Sequence, residues 1–443
     1  MLRGTKVRVE AGDMKKKVTL LLVVLLVLGW YQTVNTVFAI PVRYAAHITA
    51  AEKYARKEIF EDALTEYQEA LKLQPKSVRV KRRIAEMQLK LGNRPEFIRG
   101  CEALIGREEL DEEALRMLAA YYDSNGKEEE IVLLLRELRG THSGSEAVNE
   151  LWDRYRGSYE ELYYSYEEIK PFHDGYAVVK TEGKYGLIDM EGKGVIRQIY
   201  DAAGAFSQEA GCAPVSEGGN WYYLNEKQHK KLVPDEDYDY LGTVSGGIAA
   251  AGSGGKFGFA DTQLILKTEC GWEEVSNPYQ GIAAAKRDGK WALLDDSLQP
   301  VTDYIYEDIA MDENGFCSGH GLVFAKKEDG YHLVDGGGGE VCARVFENAR
   351  PFGSSELTAV CMDGKWGFVD TKGEMVLSCR YEDAGPFQMG VAPVKQSGKW
   401  GYIDPEGNFL IDPVFEDAYP FCEGGTAPVK QEDWFLIRLY AIS

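Results

Sequence analysis

The spacing of apolar and polar residues divides the chain into three parts. Residues 18 to 42 run without a charge, and about 20 apolar residues are enough for a helix to cross a bilayer. From residue 44 to 157 apolar residues recur every three or four positions, which predicts amphipathic helices. From about residue 160 apolar and polar residues alternate between turn-forming residues, which predicts short β-strands.

The uncharged segment at 18–42 predicts a membrane anchor or a signal peptide. Lys15, Lys16 and Lys17 precede it, so the positive-inside rule makes residues 1–17 a cytoplasmic tail and exports the rest of the chain. Val37-Phe38-Ala39 resembles a small-residue cleavage site, and cleavage with secretion is therefore the alternative. The uncharged run is longer than a usual signal-peptide core, which favours a single-pass anchor.

The segment after the anchor predicts paired helices. Ala51, Tyr54 and Ala63 lie on one face of two helices, with a break near Glu58 and an end at Pro75. This spacing resembles the tetratricopeptide repeat, whose motif the Tyr, the second Ala and the Pro match. Two degenerate units follow in the same 34-residue register, and the amphipathic "SEAVNELWDRYRG" predicts a capping helix. The resemblance implies a helical repeat stack over residues 44–157.

In tetratricopeptide repeats the first helix of each unit lines a concave groove. With units counted from Tyr44, Val78 and Glu112, the groove-facing positions include basic residues. These candidate partner-binding residues are Arg56, Arg79, Arg82, Lys90 and Arg116. A basic face in an acidic chain attracts carboxylate-rich peptides or anionic polymers, and the anionic outer face of a membrane is another candidate. The alternative is a solvated helix face that is balanced by the surrounding glutamates.

The β region repeats a short phrase. "DGKWGFVD" at residues 363–370 returns 34 residues later as "SGKWGYID". Within the clearest unit, "VAPVKQ", "KWGYID" and "NFLIDP" predict three strands, and "YEDAGPF" is a candidate fourth. Eight units can be aligned on the aromatic residue that begins each, and these residues are Tyr166, Tyr200, Tyr238, Trp272, Tyr306, Phe346, Tyr381 and Phe415.

This region resembles the WG repeat family, also called KWG repeats, over residues 160–443. Lys365-Trp366-Gly367 and Lys399-Trp400-Gly401 carry the resemblance, whereas Lys290-Trp291-Ala292 lacks the glycine. The repeat aromatics, which are expected to be structural, are Tyr185, Trp221, Phe257, Trp291, Tyr331, Trp366, Trp400 and Trp434. The resemblance implies an architecture built for interaction, with no catalytic residue set.

The physical chemistry of the repeat predicts a stacked core. A few short strands cannot bury their apolar face alone, so each unit must pack on its neighbour. A large aromatic in each unit covers the next hairpin, and the glycine after it permits close backbone approach. Asp189, Asp370 and Asp404 fit Asp-x-x-Gly turns, in which the carboxylate accepts hydrogen bonds from its own backbone.

Eight such units can close into a ring or stack as an open solenoid. In a closed eight-bladed propeller, "YEEIKPF" at the start of the β region would complete a blade formed by the chain end. An open β-hairpin solenoid would leave an unpaired edge at each end. Closure is favoured, although units of 34 residues are shorter than the usual 40 to 45 of WD40 blades.

Composition narrows the chemistry. The formal net charge of −21 argues against nucleic acid. The eight cysteines form no Cys-x-x-Cys pair, and Cys317, His320, His332 and Cys342 follow no standard zinc spacing. Six histidines scattered over both repeat regions support no Ser/His/Asp or Cys/His set. The sequence therefore predicts no enzymatic activity, no cofactor and no metal.

The leading hypothesis is a membrane-anchored extracytoplasmic scaffold that binds protein partners through both repeat regions. A cell-surface protein that binds glycan or cell-wall polymer is the alternative, because exposed aromatic residues stack on sugars. A degenerate hydrolase has little support, since fold alone implies no chemistry. Burial of Trp366 and Trp400 would argue for the scaffold, and exposure would argue for glycan binding.

Overall fold

The computed structural model describes residues 4–106, 109–233 and 238–442, with side chains described from Lys16 onward except at Asn35. The chain forms two compact units, Met1–Asp153 and Arg154–Ser443. The side chains of the predicted basic tail up to Lys15 lie outside the described residues.

The first unit begins with a long helical region. It comprises α1 (Gly4–Val34), a π-helical turn (Asn35–Ala39) and α2 (Ile40–Arg56). By length and composition, its part Lys16–Arg56 is a candidate for a membrane span or a signal sequence. The predicted boundary between anchor and first repeat at residues 42–44 is no break in the structure, because α2 runs through it. Pro41 follows closely after the π-helical turn, as expected for a residue that lacks the N–H needed for a regular helical hydrogen bond.

Six further helices complete the helical unit. The break predicted near Glu58 is confirmed, since this residue adopts a left-handed φ of 59° between α2 and the next helix. Ser77 and Asp111 cap two of the helices by accepting hydrogen bonds from Val80 N and Ala114 N. The bounds are α3 (Phe60–Leu73), α4 (Val78–Lys90), α5 (Arg94–Glu102), α6 (Glu112–Asp123), α7 (Glu128–Thr141) and α8 (Glu146–Tyr155). Assignment of these pairs to tetratricopeptide repeats remains a prediction.

The second unit is an eight-bladed β-propeller, as favoured from the sequence. Its first strand is β1 (Tyr159–Tyr166). Blades 1 to 4 then contain β2 (Glu168–Ile169), β3 (Tyr176–Thr181), β4 (Lys184–Asp189) and β5 (Gly194–Tyr200); β6 (Ala202–Ala203), β7 (Ala213–Glu217), β8 (Asn220–Leu224) and β9 (Lys230–Leu232); β10 (Tyr240–Leu241), β11 (Ile248–Ser253) and β12 (Lys256–Asp261); and β13 (Glu274–Val275), β14 (Ala283–Arg287) and β15 (Lys290–Leu294).

Blades 5 to 8 continue the same antiparallel order. They contain β16 (Asp308–Ile309), β17 (Ser318–Gly319), β18 (Leu322–Lys327), β19 (Gly330–Asp335) and β20 (Glu340–Phe346); β21 (Asn348–Ala349), β22 (Leu357–Met362), β23 (Lys365–Asp370) and β24 (Met375–Tyr381); β25 (Asp383–Ala384), β26 (Ala392–Gln396), β27 (Lys399–Ile403) and β28 (Phe409–Phe415); and β29 (Asp417–Ala418), β30 (Thr426–Lys430) and β31 (Trp434–Leu439). The predicted fourth strand within "YEDAGPF" is β25, a pair of residues at the start of its blade.

The ring closes between the two ends of the β region. β1 pairs antiparallel with β31, from Tyr159 opposite Leu439 to Tyr166 opposite Trp434. Closure is thus confirmed and the open solenoid is wrong, but the closing strand is "YEELYYSY" and not the predicted "YEEIKPF". The predicted segment is needed elsewhere, because its Glu168 pairs with Lys180 as the first strand of blade 1.

The repeat aromatics pack between neighbouring blades. Trp400 of blade 7 is buried against Ala418 and Phe421 of blade 8. Trp434 of blade 8 packs on Ile169 of blade 1, so the same contact closes the ring. The interblade spacer predicted from the sequence is therefore confirmed. The buried members are Trp291, Tyr331, Trp366, Trp400 and Trp434, and the half-buried ones are Tyr185, Trp221 and Phe257.

The glycine after the aromatic marks a β-bulge. A Cβ on Gly367 would lie 2.6 Å from Leu377 O, and one on Gly401 would lie 2.5 Å from Ile411 O. In both blades the register of the fourth strand shifts at this position. Blade 4 has Ala292 here and blade 3 has Gly258, and in both blades the outer chain makes isolated bridges in place of a fourth strand, so the glycine alone does not decide whether this strand forms. The close approach predicted for the glycine is confirmed, and the approaching backbone belongs to the same blade.

Charged residues of the repeat hold turns and neighbouring blades. Asp370 Oδ1 accepts hydrogen bonds from Lys372 N and Glu374 N, both at 2.9 Å, as predicted for an Asp turn. Lys399, which precedes the tryptophan of blade 7, forms an ion pair with Glu416 of blade 8.

Candidate functional site

The helical unit contains a cleft of about 820 Å³. Helices α4, α5 and α6 contribute its walls, which combine four arginines and the two glutamates Glu86 and Glu113 with apolar and aromatic side chains. Of these arginines, Arg83 pairs with Glu86 at 2.6 Å. The residues that line it include Arg79, Arg82, Arg83, Arg94, Met117 and Tyr121. Tyr121 packs edge-on against the buried Phe97, with ring centroids 5.2 Å apart, which fixes the position of its ring.

The cleft includes two of the five predicted partner-binding residues. Arg79 and Arg82 line it, whereas Arg56, Lys90 and Arg116 are not among its lining residues. The residues of α4 counted from Val78 therefore include two that line the cleft, and a role in partner binding stays a prediction for all five.

Sequence reasoning missed Arg94. The count considered the first helix of each unit alone, and Arg94 is the first residue of the second helix, α5. Its position directly before Pro95 and near the start of a helix was the available signal.

Ion pairs to neighbouring helices occupy most of the predicted arginines. Arg79 Nη2 lies 2.9 Å from Glu52 Oε1, and Arg82 Nη2 lies 2.5 Å from Asp111 Oδ2. Outside the cleft, Arg116 Nη2 lies 3.1 Å from Glu150 Oε2. Each pair joins two segments of the helical region that are distant in sequence. Part of the positive charge is therefore neutralised within the protein.

Two features leave the cleft able to accept an anionic group. Arg94 is exposed and has no carboxylate partner in the part of the chain that the structure describes. Arg82 Nε is buried and, within the same described residues, has no hydrogen-bond acceptor. A guanidinium offers donors in a fixed fork that matches a carboxylate. The cleft can therefore hold an acidic side chain or a terminal carboxylate beside the Tyr121 ring.

The thiol and imidazole groups do not converge on a metal site. Among the described residues no group of three or more His, Cys, Asp and Glu side chains could hold a metal ion. Cys317 is buried beside Ser276, and this burial raises the pKa of its thiol to about 11. His332 Nε2 instead lies 2.8 Å from Asp329 Oδ1, and His320 Nε2 lies 3.0 Å from Ser355 O.

Comparison with protein families supports the assignment of the β repeats. The family described as WG containing repeat matches residues 164–185, 185–221, 257–291, 333–366, 366–400 and 400–433, which supports a WG repeat protein. No curated protein matches the chain.

Among solved structures, a eukaryotic initiation factor is 10% identical, with 64% of this chain and 88% of that chain covered and a TM-score of 0.42. Kluyveromyces lactis Hsv2 is 12% identical, with 61% and 97% covered and a TM-score of 0.35.

Proposed function

We propose that this WG repeat protein is a non-enzymatic scaffold that its N-terminal helix anchors in a membrane. Both repeat units then lie on the extracytoplasmic side and bind protein partners. The helical cleft takes an acidic segment of one partner, and the propeller offers a second, broader surface. Partners held by the two units are brought together at the membrane.

The structural roles of the repeated residues support this proposal. In blades 6 and 7 the tryptophan fills the contact with the next blade, the glycine accommodates a bulge, and the aspartate closes a turn. The repeated residues therefore have structural roles, and the loops between them are left to form the recognition surface. A ring built in this way supplies a surface for recognition and no repeated reaction centre.

Glycan binding loses its main argument. Trp366 and Trp400 are each 7% exposed, so their ring faces are not available for stacking on a sugar. The scaffold hypothesis requires these residues only as spacers.

The helical cleft can be tested with a matched pair of substitutions on α5. Full-length protein in detergent micelles is titrated into a rhodamine-labelled glutamate-rich peptide, and anisotropy is recorded. Arg94→Glu should weaken binding about tenfold, because it places a like charge in the cleft. Arg99→Glu makes the same charge change outside the cleft and should have little effect. Equal loss in both variants, or none in either, would reject the cleft as the site.

Membrane orientation has a separate test. Sealed vesicles with the extracytoplasmic face outward are treated with trypsin, and the repeat units should be digested without detergent. Protection of the repeat units until detergent is added would contradict the proposed orientation.

A further inference from the structure

The propeller has a cavity of about 530 Å³ that lies outside the helical cleft. It is formed by the loops that follow the short first strand in blades 1, 5, 6, 7 and 8. These loops contribute mainly residues 171–175, 311–318, 350–354, 385–389 and 419–423. This volume is within the range of sites that hold small molecules or peptide side chains.

One loop of blade 5 reaches across the ring to build this cavity. Asn314 Nδ2 donates to Pro171 O of blade 1 at 3.1 Å. His173 of blade 1 stacks on Phe316, with ring centroids 4.3 Å apart and planes at 15°. Blades 1 and 5 are four positions apart in the ring, so this loop crosses the centre of the ring, and the stacked His173 and Phe316 form an aromatic part of the cavity lining.

The charged residues of the cavity are mostly acidic. Among the lining residues the cavity has one guanidinium group, that of Arg350, and its Nη2 already lies 3.4 Å from Asp383 Oδ1. The whole chain has 71 acidic and 50 basic residues. The ratio of acidic to basic residues in the cavity lining is therefore much higher than in the chain as a whole. The acidic residues that line the cavity are Asp174, Asp312, Glu313, Asp383, Asp417 and Glu423.

Among the described residues, three of these carboxylates make no direct ion pair. Glu313, Asp417 and Glu423 form no ion pair within the described part of the chain. In the same loop as Glu313, the buried Asn314 Oδ1 has no hydrogen-bond donor among the described residues. Burial raises the pKa of Asp312 to about 7, and hydrogen bonds from the backbone together with the charge of Lys170 offset only part of this effect. These unpaired acceptors favour a ligand that carries a positively charged hydrogen-bond donor.

Aromatic and thioether groups complete the lining. Tyr419, Met311 and Met389 line the cavity and keep part of their surface exposed, whereas Phe316 and Phe352 are each only 4% exposed and contribute mainly to its walls. Aromatic faces attract ammonium and guanidinium groups, and methionine packs on the methylene stems that carry them. The combination of carboxylates, rings and thioethers suits the side chain of lysine or arginine better than a small inorganic cation.

We propose that this cavity binds a lysine or arginine side chain of a basic peptide segment in a protein partner. The inference rests on the proposed scaffold function and names the partner chemistry of its second surface. The two surfaces then select opposite charges, acidic segments in the helical cleft and basic segments in the propeller.

Binding of a rhodamine-labelled lysine- and arginine-containing peptide to the full-length protein tests the proposal. Glu313→Gln combined with Glu423→Gln should weaken binding roughly tenfold, because it removes two exposed carboxylates from the lining. Glu406→Gln combined with Glu432→Gln makes the same charge change at exposed sites that do not line the cavity. This control should change binding less than twofold, whereas equal weakening by both pairs would show non-specific attraction and overturn the proposal.

A variant without charge change tests the cavity itself. Ser354 is exposed on the lining, so Ser354→Trp should fill the opening and abolish peptide binding, while Ser354→Ala should preserve it. Unchanged binding in Ser354→Trp, or preference for a glutamate-rich peptide that Arg94→Glu does not alter, would overturn the proposal. If the basic peptide binds as expected but the glutamate-rich peptide does not bind, the cleft fails and the cavity stands.

Discussion

The glycine of the WG repeat offers a direct test of how a blade is built. Gly186 lies in β4 of blade 1, beside the bulge that separates the pairs Tyr185–Tyr200 and Leu187–Ile196. A Cβ at this position would lie 2.4 Å from Ile196 O and 2.7 Å from the carbonyl carbon of Arg197. Both neighbours are backbone atoms of β5, so no side-chain rotation can relieve the contact.

We expect Gly186→Ala to lower the free energy of unfolding by about 1 to 3 kcal/mol, the usual cost of forcing extra atoms into a packed site. Gly194 in β5 of the same blade is the matched control, because a Cβ there has no heavy atom within 4 Å. Gly194→Ala should be neutral or stabilising by about 0.5 kcal/mol, since alanine has fewer unfolded conformations. The same chemical change thus has opposite expected signs in neighbouring strands.

Urea unfolding of the full-length protein in detergent, followed by tryptophan fluorescence, measures the difference. Of the eight tryptophans, all but Trp30 and Trp152 lie in the propeller, so the signal reports mainly this unit. The midpoint should fall for Gly186→Ala at an unchanged slope. Equal midpoints for the two variants would refute the argument that backbone proximity at the bulge requires glycine.

Three further predictions concern the interblade contact, the cavity and the anchor. Trp400→Ala should cost about 3 to 5 kcal/mol, and the half-buried Trp221→Ala should cost clearly less, as judged by the same urea assay; a larger loss at Trp221 would contradict the spacer role. Since the folded pKa of Asp312 is about 7 and its unfolded value is about 4, the unfolded state ionises first and stability should fall as pH rises from about 4 to 7. Asp312→Asn should therefore be more stable than the parent at pH 8 and similar to it near pH 4, whereas a difference independent of pH would rule out this titration. Deletion of residues 1–42 should release the protein from membranes into the supernatant after centrifugation, and continued sedimentation with membranes would indicate another membrane contact.

Much of the architecture follows from local patterns in the sequence. Alternating apolar residues place the strands, and a recurring aromatic predicts the contact between blades that Trp400 and Trp434 make. The break at Glu58 and the Asp370 turn are also local, because they depend on residues within a few positions of each other. Such features can be predicted because backbone conformation and nearby hydrogen bonds decide them.

Only the tertiary structure decides how the ring closes and which charged residues of the candidate binding surfaces form ion pairs. Whether "YEELYYSY" or the following segment completes the last blade depends on the accumulated geometry of eight blades, which brings Tyr159 opposite Leu439. The sequence indicates that Arg79 and Arg82 share a face, but their pairing with Glu52 and Asp111 arises only when separate helices pack together. Likewise, the loop of Phe316 meets His173 of the opposite blade only in the closed ring. Contacts between residues distant in sequence depend on the position of every intervening element, and no local pattern encodes that sum.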